Sequence, residues 1–189
     1  MSSSYKFYNP DGIYFVTFAT VEWIDVFTRR TYKDILVESL KYCQNHKGLN
    51  IHGWIIMTNH LHLIISGSGK YELSDIVRDF KKYTDGRLLK LIQEDFESRK
   101  DWMLKVFRDT GKINCNNKHF QFWRQDNHPE ELISNKFMDQ KLNYLHNNPV
   151  EEGIVDSEEH YIYSSARDYL PARKAGAGEK GLLKIDFIE

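Results

Sequence analysis

A chain of 189 residues, 41% hydrophobic and 28% charged, is long enough for one soluble domain with its own core and short for two. Its 26 basic and 27 acidic residues leave a net charge of -1, which excludes a global field that gathers polyanions, so any contact with nucleic acid needs a local excess of positive charge. Two cysteines, Cys43 and Cys115, cannot form a disulfide framework, and the opening "MSSSYKFYNPDG" has no apolar stretch of signal-peptide length; the expectation is a cytoplasmic protein.

In chain order, "GIYFVTFAT" (Gly12 to Thr20) is dense in β-branched and aromatic residues and predicts a first strand. Thr31 to His46 places Ile35, Leu36, Leu40 and Cys43 at helical spacing, opens on the capping-box-like "TYKD" and is followed by Gly48 as a stop, so it predicts a helix. "IHGWIIM" and "LHLIIS" predict two antiparallel strands joined around Thr58 and Asn59. The run from Ile51 to Gly69 has no charged residue and could span a bilayer, but three His, an Asn and a Thr interrupt it, which favours strands and no membrane.

Ser74 can cap a helix carrying Ile76, Val77, Phe80, Tyr83, Leu88 and Ile92. The charged stretch up to Lys118 gives no clear element, and "HFQFW" predicts a further strand. Ser134 can cap a helix that ends at "HNNPV", because Pro149 disfavours helical geometry at Asn148. "PARKAGAGEKG", Pro171 to Gly181, has linker composition and separates a domain of residues 1–170 from an extension, 171–189, whose "GLLKIDFIE" would add an edge strand. The order predicts an α+β, ferredoxin-like (RRM-like) sandwich, a mainly antiparallel sheet with helices packed on one face.

Chemistry concentrates in two places. Alternation along a strand puts His60 and His62 on one face, where two neutral imidazoles form half of a metal site. A His-x-His pair is also what two ordinary hydrogen-bonded histidines look like. In "KFMDQKLNYLHNNPV", Phe137, Lys141, Tyr144 and Asn148 fall on one helical stripe beside an apolar stripe of Met138, Leu142 and Leu145. Asn148 offers a hard amide oxygen, and Tyr144 a phenol that attacks only when nearby charge assists it. A metal held by two His and an amide oxygen, with open positions, can polarise a phosphate and make that tyrosine a nucleophile.

The segments "MTNHLHLII", "IVRDFKKYT", "FWRQDNHP", "LNYLHNNPVEEGIV" and "YIYSSARDY", in that order, resemble the single-tyrosine HUH transposases, and among them the REP-associated tyrosine transposase branch. The resemblance runs from about Ile13 to Tyr169 and implies a ferredoxin-like core that binds single-stranded DNA, often at a hairpin or palindromic repeat. It implies His60, His62 and Asn148 as metal ligands, Tyr144 as the nucleophile that forms a 5'-phosphotyrosyl intermediate, and a divalent metal, Mg²⁺ or Mn²⁺. A homodimer is compatible with it. No Gly-rich loop with Lys-Ser or Lys-Thr is present, in keeping with strand joining that conserves phosphodiester energy.

From Arg78 to Arg124, 12 basic against seven acidic residues give a local excess of +5, the best candidate for a DNA-tracking surface. Arg78, Lys81, Lys82, Thr84 and Arg124 suit phosphate contacts, and Tyr83, Phe120, Phe122 and Trp123 either stack bases or belong to the core. His128 in "DNHP" could support the site from behind or serve its turn. Glu151 and Glu152 follow the Asn-Pro turn where the resembled family often has basic or small residues. Cys43, His46, Cys115 and His119 lack the spacing of a zinc finger. Two other classes fit parts of this pattern: a non-catalytic single-stranded nucleic-acid-binding regulator, and a small-phosphoester hydrolase that cleaves with water.

Overall fold

A computed structural model describes residues 7–94, 96–113, 120–125, 128–170 and 181–188. The elements are β1 (Tyr14–Ala19), α1 (Arg30–Tyr42), β2 (Leu49–Ile56), β3 (His60–Gly67), α2 (Leu73–Glu94), α3 (Lys100–Ile113), β4 (Glu130–Glu131) and α4 (Asn135–Glu151). The four strands form one antiparallel sheet in the order β2-β3-β1-β4. This is the α+β arrangement expected, a β-α-β-β-α-β order with α3 inserted before the last strand.

Period-two alternation divides the sheet cleanly. Tyr14, Val16 and Phe18 of β1 share a face with Leu61, Leu63 and Ile65 of β3, while Phe15, Thr17 and Ala19 share the other with His60, His62 and Ile64. The first face carries α1 and α2: Phe80 of α2 packs on Phe18 at 6.0 Å, and Leu36 and Leu40 of α1 are fully buried. The second face carries α4, whose Leu142 and Leu145 lie over Gly53. Packing on one face therefore holds for α1 and α2, and α4 takes the opposite side. Its own apolar stripe needed a surface, and the Phe15, His62 and Ile64 face supplies one.

Local chemistry explains the element ends. Gly48 closes the first helical segment in the left-handed conformation, after a short π turn at Cys43–Lys47. The Ser134 side chain caps α4 by accepting from Phe137 N at 3.3 Å. The helix runs through Pro149 to Glu151 and stops at Gly153, which is left-handed; Pro149 sits in the last turn, where a missing N–H costs one bond and the helix persists. α2 begins at Leu73, so Ser74 lies inside its first turn.

"HFQFW" does not form the fourth strand. Phe122 and Trp123 are both buried, but pairing with the end of β1 goes no further than an isolated bridge between Trp123 and Thr20. His119 lies outside the described residues. Glu130–Glu131 fills the edge beside Tyr14 and Phe15 instead. The segment 181–188 does not form a strand either; it lies beside β2, with Asp186 N donating to Ile51 O at 2.9 Å and Leu183 buried. Among the described residues no helix is long and apolar enough to cross a membrane.

Candidate active site

β3 starts at His60, and its first and third residues face α4 with their rings 4.6 Å apart. His62 lies opposite Thr17 of β1, whose hydroxyl meets His62 Nδ1 at 2.7 Å. His60 Nδ1 meets Asn59 Oδ1, also at 2.7 Å. The Asn59 amide nitrogen donates to the Trp23 carbonyl at 3.3 Å, which turns the amide oxygen toward His60. Because that oxygen only accepts, His60 carries its proton on Nδ1 and keeps a lone pair on Nε2.

His62 Nε2 is buried and has no hydrogen-bond partner among the described residues. Burial lowers the His60 pKa to about 4; burial, with the neighbouring His60 and Lys141 adding, lowers that of His62 to about 3. Both rings are therefore neutral at ordinary pH. An imidazole held by its Nδ1, neutral, with an unpartnered Nε2, is arranged as a metal-binding histidine is arranged. Without a ligand, the buried nitrogen carries an uncompensated desolvation cost.

α4 brings Tyr144 to the pair. The Tyr144 ring lies 5.4 Å from that of His62 and 6.2 Å from that of Phe15, both edge-on, and the residue is 47% exposed. Lys141, one turn earlier, places Nζ 4.7 Å over the Phe15 ring and pairs with Glu130 at 2.6 Å, so β4 ties the helix to the sheet edge. At the other end, the Ser165 hydroxyl accepts from Trp54 N at 2.9 Å and meets His146 Nε2 at 2.8 Å, clasping β2 to α4. The "YIYSSARDY" segment is thus structural support for the helix that carries Tyr144.

Asn148 lies one turn beyond Tyr144 and is buried, its Nδ2 donating to Tyr144 O at 3.2 Å. Among the described residues no hydrogen bond joins it to either imidazole, and no group of three or more His, Cys, Asp and Glu comes together as a metal site. A cation at the His pair would be completed by an amide oxygen, water or the ligand itself. Cys43 is buried, and Cys115 and His119 lie outside the described residues.

A model of the family described as "Transposase IS200 like" matches residues 11–110. The chain belongs to the IS200-like transposase family. The matched span contains the His pair, and α4 follows it. Among solved structures, a REP-associated tyrosine transposase bound to a REP hairpin is 19% identical, with 100% of both chains covered and a TM-score of 0.59; it shares the fold. A protein from Deinococcus radiodurans R1, provisionally described as a transposase, is 19% identical over 75% of this chain and 94% of its own, with a TM-score of 0.43. No curated protein matches the chain.

The residues expected to meet DNA in this IS200-like chain divide sharply. Arg78 and Lys82 are exposed on α2, on the side of the sheet away from the His pair, and Arg78 pairs with Asp75 and Asp79. Lys81 turns inward: its Nζ donates to Arg124 O at 2.9 Å, and burial lowers its pKa to about 7. Thr84 is not a phosphate contact, because it is fully buried, donating to Phe80 O and accepting from Trp123 Nε1 at 3.1 Å. Phe122 and Trp123 are core, whereas Tyr83 is exposed. Arg124 is the one of the five brought near the site, with its guanidinium 5.3 Å over the ring of Trp23, itself 5.7 Å from His60. His128 is exposed and, among the described residues, no hydrogen bond or ring contact joins it to His60, His62 or Tyr144, so the support from behind the site expected of it is not seen.

Sequence reading passed over Thr17, Asn59, Phe15 and Trp23. Asn59 was within reach, since it stands directly before His60 in "TNHLH"; Thr17 becomes visible only once the register of β1 on β3 is known.

Proposed function

We propose that this IS200-like transposase is a single-tyrosine, metal-assisted single-stranded DNA endonuclease and strand-transferase of the REP-associated branch. The observation that carries the reading is the buried, unpartnered Nε2 of His62 beside the ring of an exposed tyrosine. Tyr144 is the nucleophile, and His60, His62 and Asn148 are the residues that would hold a divalent cation, Mg²⁺ or Mn²⁺, which would supply Lewis-acid polarisation of a phosphate oxygen.

The chain's own groups do the rest. The Tyr144 phenol gives up its proton as its oxygen attacks the scissile phosphorus, the P–O3' bond breaks, and the departing O3' takes up one proton to become a free 3'-hydroxyl, so the proton count is unchanged. The strand stays on the enzyme as a 5'-phosphotyrosyl ester. A second 3'-hydroxyl reverses the step and joins strands, with the bond energy conserved in the ester. Asn59 holds the His60 imidazole in the tautomer that leaves Nε2 available, and the Thr17 hydroxyl fixes the orientation of the His62 ring through Nδ1. Lys141, its charge shared with Glu130, stands over the Phe15 ring on the same face as the His pair. The partner is single-stranded DNA, and the neighbour of like fold bound to a REP hairpin favours a hairpin or palindromic repeat as its source.

The test incubates purified protein with Mn²⁺ and end-labelled single strands drawn from the DNA flanking its gene, resolved under denaturing conditions. The expected result is a slow covalent band that is absent in Tyr144→Phe and after chelation. A band that survives Tyr144→Phe would overturn the assignment. Retained binding with no band from any flanking strand would favour the non-catalytic regulator.

A further inference from the structure

Beside His60 the backbone does something rare. Glu22 and Trp23, neither of them glycine, stand consecutively in the left-handed region, with φ of 51° and 52°. Such conformations persist where the surroundings hold them, and they gather at ligand-binding places. Here the Trp23 carbonyl is held by the Asn59 amide, the group that also orients His60. The outcome is that a large aromatic ring stands 47% exposed at the rim of the site instead of in the core.

Trp23 also lines a cleft of about 420 Å³, together with Glu22, Thr110, Gln121, Arg124 and Gln125. Its walls are mostly polar, with one aromatic ring and the Arg124 guanidinium 5.3 Å above it. That chemistry suits a nucleobase. The ring and guanidinium give a flat surface for stacking, while Thr110, Arg124 and Gln125 can meet a base edge; the Gln121 amide donates to the Trp123 carbonyl at 3.1 Å and serves as wall. Glu22 is exposed at the same place and disfavours a phosphate there, though a carboxylate accepts readily from an exocyclic amine.

We infer that this cleft receives one unpaired nucleobase flanking the scissile phosphate, stacked on the Trp23 and Arg124 pair, and that the left-handed turn exists to present the ring. The assignment rests on the single-stranded DNA reading of the neighbouring His pair and adds a base subsite to it. Asn59 links the two, since one amide fixes both the Trp23 turn and the His60 tautomer.

Trp23→Gly is the discriminating variant: glycine adopts a left-handed φ freely, so the ring is lost while the turn is relieved. Binding is measured by anisotropy with labelled oligo(dA), oligo(dC) and oligo(dT), and with an abasic deoxyribose strand of the same length, on the full chain with and without Mn²⁺. The wild type is expected to bind at least one base-bearing strand more tightly than the abasic strand. Trp23→Gly should bind that strand about 5- to 100-fold more weakly and lose the base-versus-abasic difference, with an unchanged melting temperature, and Trp23→Phe should keep part of it. A wild type without base preference or without binding, or a Trp23→Gly protein that keeps the wild-type ratio, would overturn the inference. The covalent-band assay on Tyr144→Phe is read separately, so loss of the transposase reading leaves the base preference to stand or fall alone.

Discussion

Asn59 carries more of the site than its place between two strands suggests. Its amide accepts from His60 Nδ1 and donates to the Trp23 carbonyl. Asn59→Ala is expected to free the His60 ring and weaken Mn²⁺ binding roughly 10- to 100-fold, the usual cost of losing an outer hydrogen bond to a metal ligand. Calorimetric titration of Mn²⁺ checks this, and unchanged affinity would show that Asn59 serves the turn alone. At this scale the sequence was readable where residue type and spacing coincide: the His pair fixes its own shared face through strand alternation, and Tyr144 and Asn148 share a stripe through helical spacing. It was not readable where a partner comes from a distant strand, as Thr17 does for His62, or where a polar residue is folded inward. Thr84 looked like a phosphate contact because a threonine beside two lysines is normally at the surface; its burial follows from the indole N–H of Trp123, 39 residues away.

α4 is the element that carries Tyr144, the proposed nucleophile, and Gly53 of β2 sets how closely it lies. A Cβ built at Gly53 would stand 2.8 Å from Leu142 Cδ1 and 3.3 Å from Leu145 Cδ2. Gly53→Val is therefore expected to push α4 outward, cost about 1–3 kcal/mol in denaturant unfolding, and slow covalent-band formation, because Tyr144 rides on the displaced helix. Full activity together with full stability would show that the Leu side chains absorb the added volume. Strong periodic elements, β1 to β3 and the helices α1, α2 and α4, were legible from their apolar patterns. β4 was not, because two glutamates carry no strand signal and pair only through the edge that β1 leaves open. The side on which α4 packs also escaped the sequence, since an apolar stripe says that a helix is covered without saying by which face of the sheet.

For the whole molecule, the buried histidines tie stability to pH. Burial lowers His60 and His146 to about 4 and His62 to about 3, whereas an unfolded chain protonates histidine near 6.5. Between those values the unfolded state binds more protons, so the contribution is intact above pH 6.5 and is lost as pH falls through the folded values. Melting temperature is expected to decline from pH 6.5 toward 5, before most carboxylates titrate, and less steeply in His62→Gln; a flat profile over that window would contradict neutral, buried rings. Because the rings are already neutral, Mn²⁺ affinity should stay nearly level from pH 8 down to about 5.

The most direct measurement of the central claim asks which end of a cut strand stays on the protein. Single strands cleaved in Mn²⁺ are labelled at either the 3' or the 5' end, and the protein-linked fraction is digested and sequenced by mass spectrometry. Attack by Tyr144 predicts that the 3'-labelled portion remains bound through a 5'-phosphate on the peptide containing Tyr144, while the 5'-labelled portion leaves with a free 3'-hydroxyl. Cleaved DNA with no protein-linked label would contradict it, placing water rather than Tyr144 at the phosphorus.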